Sequence, residues 1–265
     1  MLAFDYASES GTDQMRGLSL SYGSRLTCYK CDTRASFICG LVISRMTTIH
    51  CDAVLFDMDG VLIDSTPIVT RVWSRFALKH GLDPTDVVSR AHGRPSIETV
   101  REYFPNSDYA QMGRELERQE IEDVAGIVAL PGSSELLSKI PLTRWTVVTS
   151  ATRELASVRL RAAGLHIPAQ IVTANDIANG KPHPEPYLKA ATALGFPPAK
   201  CVVVEDVPTG VLAGKAAGAG VIGLTTTVGR LELIGAGANW VVRNCDDIAL
   251  VDANAELTLE LADQA

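Results

Sequence analysis

No run of this sequence approaches the roughly 18 apolar residues that a membrane-spanning helix needs. The longest early apolar stretch, Phe37 to Ile43, is too short and too poorly flanked for a signal peptide, so a cytoplasmic location is expected. Positive charge is also scarce: 24 Lys and Arg against 31 Asp and Glu leave a formal net charge of -7. Nucleic acid or an anionic membrane surface would call for clustered basic residues, so neither is expected as a partner. Of six cysteines only Cys28 and Cys31 form a C-x-x-C, and no second pair or His pair follows at zinc-finger spacing. Reduced, unengaged thiols are the expected state.

What is present is ordinary globular composition, 46% hydrophobic and 21% charged over 265 residues, enough for one sizeable core and a smaller attached domain. Residues 1–45 mix Ser, Gly, Thr and Arg with scattered apolar residues and carry no sustained period. They read as a poorly ordered extension, and Met46, just ahead of the first clear strand pattern, is a candidate native start. From there short apolar runs alternate with amphipathic segments, the pattern of a parallel sheet covered by helices. Strands are expected at Ala53–Phe56, Trp145–Val148, Gln170–Val172, Cys201–Val204, Val221–Leu224 and Trp240–Val242. Helices at Arg153–Ala163, Pro186–Leu194 and Thr209–Ala217 each run toward a glycine suited to a helix stop. The predicted fold is α/β, a doubly wound parallel sheet with an inserted helical domain.

The insert is predicted from the 88 residues separating Gly60 from Thr149, most of which carry a helical period. Ile68, Val69, Val72, Trp73, Phe76 and Ala77 make one apolar stripe, and residues 107–125 carry charges at helical spacing. Pro and Gly near 65–67 and 129–132 suggest hinges. The expected division is therefore a core of residues 46–66 and 130–265, with a cap of residues 67–129.

Four segments carry chemistry. Ala53-Val-Leu-Phe-Asp57-Met-Asp59-Gly60-Val-Leu-Ile-Asp64-Ser65 is an apolar strand whose carboxyl end, where open α/β sheets bind ligands, presents two carboxylates one residue apart. An extended backbone would turn Asp57 and Asp59 to the same side, and Gly60 would permit the following turn. A carboxylate can accept a phosphoryl group, and a second can act as proton donor and then acceptor. Thr149 and Ser150 close one strand and lead into a helix, where a hydroxyl and free backbone N–H groups suit an anion. In Gly180-Lys181-Pro-His183-Pro-Glu-Pro, alternating prolines stiffen the backbone around Lys181, while His183 reads as a loop residue. Val202-Val-Val-Glu205-Asp206 is another apolar strand ending in paired acids. Carboxylates at neighbouring strand ends repel one another unless a cation joins them, and oxygen donors suit magnesium. The string Gly218-Ala-Gly220-Val-Ile-Gly223 spells G-x-G-x-x-G, but it ends a helix and enters a strand, the reverse of a dinucleotide site.

D-x-D-G-V-L-I-D-S at residues 57–65 resembles the first motif of the haloacid dehalogenase superfamily, and the likeness recurs at each later motif from Met46 to about Ala255. The resemblance implies Asp57 as nucleophile and Asp59 as acid and base. It implies Thr149, Ser150 and Lys181 as phosphate-binding residues, and magnesium held by Asp57, the Asp59 carbonyl and Asp206, with Glu205 nearby. An acid at position 59 resembles the phosphatase and phosphomutase branch and argues against carbon–halogen chemistry. Residues 173–188 look like those of the small sugar and polyol phosphatases. Ala91-His92-Gly93-Arg94-Pro95 resembles the cap loop that reaches the site, making His92 and Arg94 candidate substrate contacts. The expected activity is magnesium-dependent hydrolysis of a small phosphate ester by a monomer. A β-phosphoglucomutase-like activity shares all these parts, and a non-catalytic phosphoacceptor module is the rival of another class.

Overall fold

The computed structural model describes residues 45–91 and 93–263. Cys28, Cys31, His92 and the extension before Arg45 lie outside the described residues. The chain enters through β1 (Arg45–Cys51), β2 (Ala53–Phe56) and β3 (Ile63–Asp64). Helices α1 (Thr66–Lys79), α2 (Pro84–Ala91), α3 (Ser96–Tyr103) and α4 (Tyr109–Glu122) follow, and β4 (Val128–Ala129) returns antiparallel to β3. Next come α5 (Ser133–Lys139), β5 (Trp145–Val147), α6 (Arg153–Ala162), α7 (Glu185–Leu194), β6 (Cys201–Glu205) and α8 (Pro208–Ala216). The last described elements are β7 (Gly220–Leu224), α9 (Arg230–Gly235), β8 (Trp240–Val242), β9 (Ile248–Asp252) and β10 (Leu257–Asp263).

The central sheet is parallel, in the order β5-β2-β6-β7-β8. Its strands are buried on both faces, which is why they read as unbroken apolar runs. Ala53, Leu55 and Val203 face a cluster with Tyr187, Ala190 and Val211 from α7 and α8. Val54, Phe56, Val202 and Val204 alternate to the other face, with Leu136 and Leu160 from α5 and α6. Chain direction therefore places the ends of β2, β5 and β6 at one edge of the sheet, where the helices of residues 66–122 are inserted. Among these, α1 starts with Pro67 in its first turn and buries Ile68, Val69, Val72, Trp73, Phe76 and Ala77.

Three features depart from the sequence pattern. The strand expected at Gln170–Val172 is a single bridge between Val172 and Val148, with Thr149 N and Val172 N each bonding once across the gap. Met46 lies inside β1 rather than ahead of the first strand. Finally, β1, β10 and β9 form a separate antiparallel sheet, with β10 in the middle and β1 paired along its whole length from Arg45–Asp263 to Cys51–Leu257. Ile49, Leu259 and Leu261 of this sheet bury against the same core.

Candidate active site

The site starts where β2 stops. Asp57 N donates to Val204 O at 2.9 Å and so extends the pairing with β6 by one residue, fixing the carboxyl group at the sheet edge. The chain then leaves the extended form. Gly60 has φ +81°, its N–H bonds Ile63 O at 2.8 Å, and the Thr226 hydroxyl donates to its carbonyl. Asp59 is thus brought to the cleft by this turn, not by continuation of the strand as its two-residue spacing suggested. A Cβ on Gly60 would lie 2.0 Å from Asp206 Oδ2 and 2.7 Å from Thr227 Oγ1. Gly60→Ala therefore meets both an unfavourable backbone and a carboxylate. We expect it to displace Asp206 and weaken the grip of the neighbouring carboxylates on a divalent cation, so that the rise in melting temperature on adding such a cation is smaller than in the wild type.

At the end of β6, Glu205 and Asp206 are both buried. Glu205 is held by three donors: Tyr187 Oη at 2.5 Å, Lys181 Nζ at 2.6 Å and Asp206 N at 3.1 Å. Gly210 of α8 lies so close that a Cβ there would sit 1.8 Å from Glu205 Oε1. Lys181 Nζ also bonds Asp57 Oδ1 and, at 3.2 Å, Val148 O. The Thr227 hydroxyl bonds Asp206. Single carboxylate oxygens of Asp57, Glu205 and Asp206 gather within 4.8 Å of one another.

The electrostatics follow from burial. Desolvation pushes the Asp57 carboxyl well above its usual range, opposed by the Lys181 charge and reinforced by Glu205. Desolvation and then Glu205 raise Asp206 to about 8. Burial alone would lower the Lys181 ammonium, but the Asp57 and Glu205 carboxylates outweigh it and hold its pKa above the ordinary lysine value. One lysine thus leaves part of the negative charge uncompensated. The donors are hard oxygens, as a small divalent cation requires, so this cluster fits magnesium.

Above the cluster opens a cleft of about 220 Å³ lined by Asp57, Asp59, Thr149, Ser150 and Arg94, with residues of α1 and α4 on the opposite side. Thr149 Oγ1 accepts from Ala151 N at 3.1 Å, which leaves the hydroxyl proton free to donate to an anion. Thr152 caps α6 through Leu155 N at 3.4 Å. Arg94 lines the cleft with its guanidinium paired to Glu102 at 2.7 Å.

Sequence reasoning missed a buried polar chain that reaches from the helical insert to Asp59. Arg159 Nη1 bonds Asp59 Oδ1 at 2.9 Å, and Ser65 Oγ donates to the same oxygen at 2.5 Å. Arg159 Nη2 donates to Glu120 Oε2 at 3.1 Å, and Trp73 Nε1 to Glu120 Oε1 at 2.9 Å. The signal was available. Arg159 falls on the buried stripe of α6 with Leu155, Ala156 and Leu160, and Glu120 follows Gly113 and Leu116 on the buried stripe of α4. Charged residues at apolar positions of an amphipathic helix call for a partner.

A family model described as a haloacid dehalogenase-like hydrolase matches residues 51–218. The chain belongs to that family. Among curated relatives of this haloacid dehalogenase-like hydrolase, hexitol phosphatase A of Escherichia coli (strain K12) is 43% identical over 178 residues, 65% of this chain and 82% of its own length. Glycerol-1-phosphate phosphohydrolase 2 of Saccharomyces cerevisiae is 35% identical over 217 residues, 77% of this chain and 87% of its own. Among solved structures, the β-phosphoglucomutase of Clostridium difficile superposes with a TM-score of 0.64 at 24% identity, covering 74% of this chain and 92% of its own. That likeness is one of fold. No helix among the described residues is long and apolar enough to cross a membrane.

Proposed function

We propose that this haloacid dehalogenase-like hydrolase is a magnesium-dependent phosphatase that hydrolyses a small phosphorylated sugar or polyol through an aspartyl-phosphate. It works in the cytoplasm as a monomer. The observation that carries the reading is the placement of Asp57 at a strand end, bonded to Lys181 beside Glu205 and Asp206 and bordering a cleft that also presents Asp59. Relatives named as hexitol and glycerol-phosphate phosphatases support the substrate class, as does a cleft sized for a molecule of a few carbons.

In the first step an Asp57 carboxylate oxygen attacks phosphorus. The ester P–O bond breaks, and Asp59 delivers a proton to the departing alkoxide. In the second step Asp59 takes a proton from water, whose oxygen attacks the phosphorus. The Asp57–P bond breaks, inorganic phosphate leaves and Asp57 is regenerated. Lys181, Thr149 and Ser150 bind the phosphoryl oxygens, and a bound magnesium, held by Asp57, Asp206 and the Asp59 carbonyl with Glu205 nearby, supplies charge neutralisation at the phosphoryl group. Residues 67–129 act as a cap on a core of residues 46–66 and 130–265, entering and leaving through the paired strands β3 and β4. Closure of this cap shields the acyl phosphate and aligns the ester. Arg94, from the cap, contacts the substrate, and His92 beside it is assigned the same role.

Phosphate release from a panel of sugar and polyol phosphates is the test, run with magnesium and with a chelator. We expect release from at least one member with magnesium, and a loss of on the order of 10³-fold when the metal is removed. Equal release in the chelator would overturn the metal assignment. Conversion of glucose 1-phosphate to its isomer in the presence of a catalytic bisphosphate, without free phosphate, would replace the phosphatase by a mutase.

A further inference from the structure

Asp59 is held more firmly than a carboxylate bordering a cleft requires. Its Oδ1 takes two donors, Ser65 Oγ at 2.5 Å and Arg159 Nη1 at 2.9 Å. Ser65 stands at the N-cap of α1, but its side chain does not cap that helix, so the hydroxyl serves Asp59 instead. Arg159 is anchored in turn. Its Nη2 reaches Glu120 Oε2 at 3.1 Å, and Glu120 Oε1 accepts from Trp73 Nε1 at 2.9 Å. Two carboxylates on separate nitrogens fix the plane of the guanidinium. Asp59 Oδ2, by contrast, takes no hydrogen bond from any described residue, and it is not one of their buried unpaired atoms, so it keeps accessible surface where Asp59 lines the cleft.

The fold gains little from Arg159. Its neighbours on the buried stripe of α6 are Leu155, Ala156 and Leu160, and replacing a buried ion pair by apolar side chains is often neutral or stabilising. Its Nε–H is buried without an acceptor, a cost that a leucine would not carry. The gain lies at Asp59. A group that protonates a departing oxygen and then deprotonates water must aim one oxygen at both, whereas an unheld carboxylate turns about χ2 with little resistance. Two donors on Oδ1 occupy its lone pairs, so Oδ2 is left to carry the proton.

We propose that Arg159 is a positioning residue for the hydrolysis: anchored by Glu120 and Trp73, it fixes Asp59 through Oδ1 and presents Oδ2 as the oxygen that gives a proton to the leaving group and later takes one from water. The proposal rests on the phosphatase reading above and deepens it. Glu120 and Trp73 come from α4 and α1, so the helical insert holds Arg159 from the side away from Asp59.

The test compares kcat/KM for sorbitol 6-phosphate and p-nitrophenyl phosphate. Each value covers the steps up to departure of the leaving group, and only the sorbitol alkoxide needs a proton there, since p-nitrophenolate leaves without one. In Arg159→Met combined with Glu120→Gln, which avoids a buried unpaired carboxylate, the ratio of sorbitol 6-phosphate to p-nitrophenyl phosphate should fall about 10²-fold. A merely structural role would slow both esters alike, and that unchanged ratio would overturn the proposal. In an Asp59→Asn background the same pair of substitutions should move the ratio by less than about 2-fold, because Arg159 acts through Asp59. A further large fall there would equally reject it. If the Arg159→Met variant does not fold, Arg159→Lys decides: its ammonium keeps a charge beside Glu120 but cannot bridge two carboxylates in one plane, so the ratio should fall about 10-fold, and an unchanged one counts against the proposal. Absence of phosphate release from both esters by the wild type would instead sink the phosphatase reading itself.

Discussion

Asp57→Asn should abolish turnover and leave the metal-free protein at least as stable as the wild type. The amide keeps the shape and can still accept from Lys181, but it is no nucleophile toward phosphorus. We expect a loss of at least about 10⁴-fold in kcat, with no phosphate incorporated into acid-quenched protein. The stability half follows from the direction of the carboxyl shift. Burial raises the Asp57 pKa well above the usual value, so holding the ionised form at neutral pH costs folding free energy. A group with a raised folded pKa stabilises below its unfolded pKa, and that contribution is lost as pH rises through the folded one. An uncharged amide removes that loss. Melting curves in chelator at pH 5 and pH 8 should therefore show the variant gaining on the wild type at the higher pH, and a lower melting point at pH 8 would contradict the account.

Lys181→Met should fail in both respects. Its side chain is almost wholly buried and bonded to two carboxylates, with the ammonium 5.2 Å from the centre of the Tyr187 ring. Methionine fills a similar volume but leaves Asp57 and Glu205 facing each other without a counter-charge. Removing one partner from a buried ion pair costs about 3–5 kcal/mol, and losing one charge at a phosphoryl site costs about 10²–10³-fold in kcat. The two effects can be separated. Adding Glu205→Gln to Lys181→Met removes one uncompensated acid, so denaturant midpoints should recover while turnover does not. Recovery of turnover in the double variant would show that Lys181 serves the fold alone.

The parts of the molecule that could be read from the sequence are those in which local pattern and position coincide. Apolar runs ending in Asp57, Thr149 and Asp206 announce strand ends, and strand ends on one edge of a parallel sheet converge without further information. Lys181 could be read because the prolines at 182, 184 and 186 that follow it mark a stiffened loop. What stayed hidden depends on pairings between residues far apart in the chain. Nothing near Arg45 or Leu257 reveals that β1 and β10 are neighbours, since their contacts span nearly the whole described chain. The run Gln170–Val172 has strand composition, yet only Val172 finds a partner, in the stretch just past β5. Arg159 lies among Arg153 and Arg161 and so resembles a solvated helix, until Asp59 and Glu120 are seen around it. Arg94 could be named from its loop, but its pairing with Glu102 across eight residues could not.

The central place of β10 constrains the order in which the molecule can be completed. While the chain emerges from the N-terminus onward, β1 and β9 are both made before the strand that joins them, and each presents unsatisfied backbone groups to the surroundings. The catalytic strands β2, β5 and β6 can associate well before that. Nascent chains should thus pass through a stage with an assembled phosphoryl site and a ragged margin, and chaperone protection would matter most there.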